Sequence, residues 1–128
     1  MQRRARRLSV TEARDLAGRN CIVGKSTQSL EQAELAQQEG ADYVGFGPLF
    51  STATKPSAAA VGLDQVGLLH RRINLPIFCI GGVKLGNLSE IMRAGAKRVC
   101  IVSDLLCALD VPAHTAAVQS RLSERGLY

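Results

Sequence analysis

The sequence predicts an α/β fold on a parallel sheet, built from four consecutive strand–helix units. Two observations carry this. Four short apolar runs, at residues 21–24, 43–47, 77–80 and 98–102, are each followed by a helical pattern. The runs are apolar throughout rather than alternating, as in parallel strands covered on both faces. No unit closely copies another, so a solenoid array does not fit.

Composition agrees. The chain has 128 residues, 46% hydrophobic and 21% charged, enough for one domain with a modest core. Aromatic residues are 4% and Trp is absent, which argues against a stacking platform for single-stranded nucleic acid. The formal net charge is +5, and removing Arg3, Arg4, Arg6 and Arg7 from the count leaves +1. The basic charge therefore belongs to residues 1–8, read as a disordered tail, and residues 9–128 form the domain. No apolar run is long enough to span a membrane. Cys21, Cys79, Cys100 and Cys107 form no CxxC pair. The first three sit in apolar runs, as buried free thiols do, which fits a reducing cytoplasm.

Each element has a local cause. Ser9 and Glu12 make a capping box that starts a helix over 10–16, and Gly18 stops it. Residues 21–24 are the first strand and 25–28 a polar loop. Ser29 and Gln32 repeat the capping pattern for a helix to about residue 39, closed by Gly40. The central strand runs over 43–47, and Pro48 ends its pairing. A long loop covers 48–61, a length that in compact domains usually carries function. A helix over 63–73 follows, then Pro76 and the strand 77–80, ended by Gly81 and Gly82. Asn87 reads as an N-cap, and Gly95 closes that helix. After the strand 98–102, Ser103 and Asp104 open a short helix, and Asp110 opens the final one, to about residue 125.

In a parallel array all strands end on one side, where ligands bind. Ser26 follows the first strand in the polar loop. After the central strand comes Ser51-Thr52-Ala53-Thr54-Lys55. Two threonine hydroxyls and an ammonium suit a phosphate oxyanion, though a solvated surface loop has the same composition. Gly81 and Gly82 would let backbone N–H groups approach an anion, and Ser103 stands at a helix start. Either feature alone reads equally as a tight turn or a plain cap. Together, on consecutive strands, they favour phosphate. His70 and His114 read as helix residues without a catalytic role. Asp42 lies at the wrong end of the sheet for chemistry, and Glu31, Glu34 and Glu39 read as a solvated face.

The segments GKSTQSLEQA, EGADYVGFGPLFSTATKP, GLDQV, INLPIFCIGGVKLGN and AGAKRVCIVSDLL resemble the thiamine phosphate synthase family over roughly residues 8–122. The resemblance implies four consecutive βα units that form the C-terminal half of a (β/α)8, TIM-barrel-related fold. It also implies an activity: a cytoplasmic transferase of thiamine biosynthesis that joins hydroxymethylpyrimidine diphosphate to thiazole phosphate and releases pyrophosphate. By this resemblance Ser26 binds the pyrimidine diphosphate and Lys55 holds the diphosphate, making them the catalytic pair. Thr52 and Thr54 contact the thiazole phosphate. Gly82, Val102 and Ser103 form its backbone cradle. Ser51 stands where the family motif has proline.

The family expects Mg2+. Arg7 stands where one magnesium-binding aspartate is expected, and a guanidinium offers no oxygen donor. The chain therefore reads as truncated, without metal ligands, and weak or inactive alone. Self-association or a complementing N-terminal half is the expected partner, with no membrane and no nucleic acid. Two alternatives remain. One is a non-catalytic thiazole-phosphate-binding remnant. The other is a thiazole tautomerase-like protein, against which Pro48 stands where that relative has its histidine.

Overall fold

A computed structural model describes residues 8–51 and 60–124. Helix α1 (Val10–Ala17) begins as its capping box dictates. The Ser9 hydroxyl accepts from the Glu12 N–H at 3.1 Å, and the Glu12 carboxylate accepts from the Ser9 N–H at 3.4 Å. Strand β1 (Gly24–Thr27) and helix α2 (Leu30–Gln38) follow. Ser29 caps α2 by accepting from the Gln32 N–H, but Gln32 returns its amide oxygen to the Gln28 N–H, not to Ser29. Strand β2 (Tyr43–Phe46), helix α3 (Val66–Arg72) and strand β3 (Ile77–Cys79) complete the sheet. A 3-10 turn (Leu85–Asn87) leads into α4 (Leu88–Arg93), followed by α5 (Ser103–Leu106) and α6 (Val111–Ser123).

The sheet is parallel in the order β1-β2-β3. The fourth expected strand shrinks to one parallel bridge between Cys79 and Val99. Its two hydrogen bonds run from the Cys79 N–H to the Arg98 carbonyl and from the Cys100 N–H to the Cys79 carbonyl, each at 2.9 Å. Residues 98–100 thus lie beside β3 without extending the ladder.

The first strand is also displaced from its expected place. Residues 21–23 are taken up by contacts to α1 and to the segment before β2: the Arg14 guanidinium donates to the Cys21 carbonyl, and the Val23 N–H donates to the Asp42 carboxylate at 2.7 Å. Pairing then begins at Gly24, so Lys25, Ser26 and Thr27 are strand, not loop. Cys21 is accordingly exposed, Cys79 buried and Cys100 half-buried. Asn87, expected as an N-cap, makes no side-chain cap bond. It folds back on the turn before it.

Among the described residues, helices cover only one face of the sheet. Val44, Phe46, Ile77 and Cys79 point to the helices and pack with Ala33 and Ala36 of α2, Val66 and Leu69 of α3, and Leu88 and Ile91 of α4. The other face carries Gly24, Ser26, Tyr43, Gly45 and Phe78. Tyr43 is 38% and nearby Ile80 40% exposed, where covering on both faces was expected. The continuous apolar runs reflect a face without helices, not a second helical layer. At the N-terminal end of the sheet, Arg14 pairs with Asp42 at 2.8 Å, and Glu39 accepts from the Val10 N–H at 3.2 Å. Glu39 is thus a tie for α1 rather than a purely solvated side chain.

Candidate functional site

The C-terminal end of the sheet is closed by two loops that interlock. The Ile80 N–H donates to the Phe46 carbonyl, the Leu49 N–H to the Ile80 carbonyl at 2.9 Å, and the Phe50 N–H to the Gly81 carbonyl at 3.1 Å. The segment after β2 therefore runs alongside the segment after β3. Gly81 (φ 98°) and Gly82 (φ 71°) both occupy the left-handed region. Neither position has room for a side chain. A Cβ on Gly81 would collide with Pro48, and one on Gly82 would lie 2.8 Å from the Phe50 Cβ. The glycines thus serve close backbone approach as well as turn geometry.

The loop expected to carry Thr52, Thr54 and Lys55 lies outside the described residues, so nothing here places those three side chains. Its base is described. The Val61 N–H donates to the Pro48 carbonyl at 2.8 Å and the Gly62 N–H to the Leu49 carbonyl at 3.1 Å. These bonds hold the entering and leaving strands of chain side by side at the end of the sheet.

Ser26 sits on the open face of β1, exposed, in register with Gly45. Gly45 presents no side chain beside it. Val102 is 58% exposed and immediately precedes α5, whose first residue is Ser103, also exposed. The structure brings Gly81 and Gly82 against residues 48–50, and brings the turn after Gly82 against α5. Ser26 stands apart from this contact, two strands away on the sheet.

The link to α5 was not foreseen from the sequence. Asp104 accepts from the Leu85 N–H at 3.0 Å and from the His114 Nε2 at 2.7 Å. These contacts hold the Asp104 carboxyl below the usual carboxylate range, the His114 bond first and the Leu85 N–H second. Asp104 and His114 also line an open cleft of about 510 Å³ between α5 and α6, together with Ser103, Cys107 and Asp110. The available signal was positional: an Asp in the first turn of one helix and a His in the first turns of the next, joined by a short connection. The other departures are structural. Burial pushes the Cys79 thiol up to about 11, helped by neighbouring Cys100, so this thiol is inert at neutral pH. Among the described residues, no group of three or more His, Cys, Asp or Glu side chains is placed to hold a metal ion. Nor is any helix among them long and apolar enough to cross a membrane.

A parallel βα array with interlocked glycine loops at the strand C-terminal ends is the class of protein whose ligands bind at those ends. Comparison with known proteins narrows it. The profile of the thiamine monophosphate synthase family matches residues 4–105, and the chain belongs to that family. It is 44% identical over 112 residues to a thiamine-phosphate synthase of Thermosynechococcus vestitus, covering 88% of this chain and 32% of that protein. It is 36% identical over 121 residues to that of Halalkalibacterium halodurans, covering 94% and 57%. The fold superposes on a thiamine phosphate pyrophosphorylase from Pyrococcus furiosus with a TM-score of 0.82 at 30% identity, over 91% of this chain and 55% of that one. The chain thus spans between about a third and somewhat over half the length of these relatives.

Proposed function

We propose that this chain supplies the C-terminal four βα units of a (β/α)8 barrel that makes thiamine phosphate. It carries the thiazole-phosphate side of the site and is weak or inactive alone. The observation that carries the reading is the Gly81–Gly82 turn. Both residues have positive φ, both pack too closely for a Cβ, and both directly follow β3 at its C-terminal end. Backbone N–H groups exposed by such a turn suit a phosphate oxyanion.

In the proposed reaction the bond between the pyrimidine methylene carbon and diphosphate breaks, and the thiazole nitrogen forms a bond to that carbon. Ser26 donates a hydrogen bond to the diphosphate, and Lys55 neutralises part of its growing charge. Thr52 and Thr54 donate to the thiazole phosphate beside the N–H groups of Gly82, Val102 and Ser103. Mg2+ would stabilise the leaving diphosphate. The donor sets of the described residues do not fit such an ion, so no step is assigned to it on this chain. The open sheet face is the surface that a second copy or an N-terminal half-barrel would close, and the reading places the whole in the cytoplasm.

Binding tests this directly. Titrating the chain with thiazole phosphate in a calorimeter should show saturable uptake. Gly82→Asp should abolish it, because the new side chain would collide with Phe50 and displace the turn whose N–H groups are proposed to hold the anion. Equal uptake by the variant and the native chain would overturn the cradle assignment.

A further inference from the structure

We propose that Asp104 is a positioning residue for the turn that carries Gly81 and Gly82, holding that turn against α5 in a way that responds to the protonation of His114. Its bearing on ligand binding rests on the phosphate reading above. The geometric claim does not.

One oxygen does two jobs. Asp104 Oδ2 accepts both from the Leu85 N–H, at 3.0 Å, and from His114 Nε2, at 2.7 Å. Leu85 belongs to a turn that Asn87 makes rigid. The Asn87 amide oxygen accepts from the Lys84 N–H at 2.9 Å, and its amide nitrogen donates to the Gly82 carbonyl at 2.8 Å. A displacement at Leu85 therefore passes to Gly82 through a closed ring of hydrogen bonds. Gly82 has no side chain with which to fix itself, so its position is set by its neighbours. On its other side, the Gly81 carbonyl accepts from the Phe50 N–H. Asp104 is the tie from α5.

His114 makes that tie responsive. Its side chain and that of Asp104 are 26% and 25% exposed, open enough for proton exchange with water. A charged imidazolium draws on the shared oxygen more strongly than a neutral ring does. The Leu85 bond should tighten as His114 loses its proton. Among the described residues, the other titratable groups around the pair are Lys84, on the turn itself, Cys107, just after α5, and Asp110, at the start of α6, whose carboxylate is engaged by the Ala113 N–H at 3.1 Å.

The test uses the full chain labelled with nitrogen-15. As pH is varied, the amide resonances of Leu85 and Gly82 should move together with the His114 ring signals. In His114→Gln, which keeps an N–H donor but does not titrate, that movement should vanish while the fold persists. Amides of Leu85 and Gly82 that stay fixed in the native chain, or still move in His114→Gln, would overturn the proposal. A second readout is thiazole phosphate affinity. Asp104→Ala should raise Kd about tenfold, and Asp104→Asn, which keeps an acceptor for Leu85, less than about threefold. An unchanged Kd in Asp104→Ala would also overturn it. If the native chain binds no thiazole phosphate, the phosphate reading falls, and the amide titration alone decides the role of Asp104.

Discussion

The α-carbon of Gly47 faces the carbonyl oxygen of Ile80 so closely that any Cβ at position 47 would collide with it. The obstacle is backbone, and that backbone is tied. The Ile80 carbonyl accepts from the Leu49 N–H, and the Ile80 N–H donates to Phe46. Gly24 offers a contrast. A Cβ there would collide with the ring of Tyr43, a side chain on the open face that has room to turn.

The first prediction follows from that contrast. Gly47→Ala should cost about 2 kcal/mol or more, because two strand ends must separate. Gly24→Ala should cost less than about 1 kcal/mol, with loss of the edge-to-face contact of Tyr43 on Phe78, now 5.6 Å between ring centres. Urea unfolding of both variants checks the order. A Gly24 variant as damaged as the Gly47 variant would show that the open face is as tightly packed as the loop end.

The second prediction concerns acid. Asp42 is held below its ordinary value of 3.8, first by the Val23 N–H and then by the Arg14 side chain. A depressed carboxylate contributes stability that is fully present above the unfolded value and is lost as pH falls through the folded one. Asp42→Asn, which keeps an acceptor for Val23 but loses the charge, should therefore be less stable than the native chain at neutral pH. The gap should close as pH drops below 3.8. Urea midpoints across this range check it. A gap that stays constant into acid would assign the effect to geometry rather than charge.

How much was legible depended on the range of the signal. Ser9 with Glu12, and Ser29 with Gln32, act within one turn of helix, so the starts of α1 and α2 were readable. β2, β3 and the Gly81–Gly82 turn were readable because an apolar run meets glycine. β1 was misplaced because its pairing residues, Gly24 to Thr27, are not apolar. Thr27 is buried, and its hydroxyl is satisfied by donating to the Gly45 carbonyl at 2.8 Å, a partner 18 residues away. Asp42 decides where β1 begins by capturing Val23, also from a distance. The Asp104–His114 pair was missed for the same reason: it joins two helix starts, and no periodicity marks such a contact. Gly82 follows β3, Ser26 lies inside β1 rather than after it, and Val102 and Ser103 lead into α5 after a single bridge rather than after a strand.

The third prediction concerns association. Among the described residues, the open face and the unpaired edge of β1 leave apolar side chains and backbone groups available for pairing. Light scattering should show concentration-dependent association of the chain. Tyr43→Lys, which puts a charge on that face at the central strand, should weaken it by about tenfold or more in Kd. A stable monomer at high concentration would count against the half-barrel reading.

The last prediction is activity. The chain alone should make thiamine phosphate at least about 10³-fold more slowly than a full-length relative, since charge stabilisation of a leaving diphosphate is worth several kcal/mol. The groups proposed for the thiazole side and part of the diphosphate side, Ser26, Thr52, Thr54 and Lys55, are present in the sequence. Adding a separately made N-terminal half of a related synthase, with Mg2+, should restore turnover if the open face accepts it. The assay follows thiamine phosphate formation with and without that half, with association measured in parallel. Fast turnover by the chain alone would remove the case for a missing half. Association without turnover would instead identify a phosphate-binding remnant, whose Gly81–Gly82 turn has outlived the chemistry it once served.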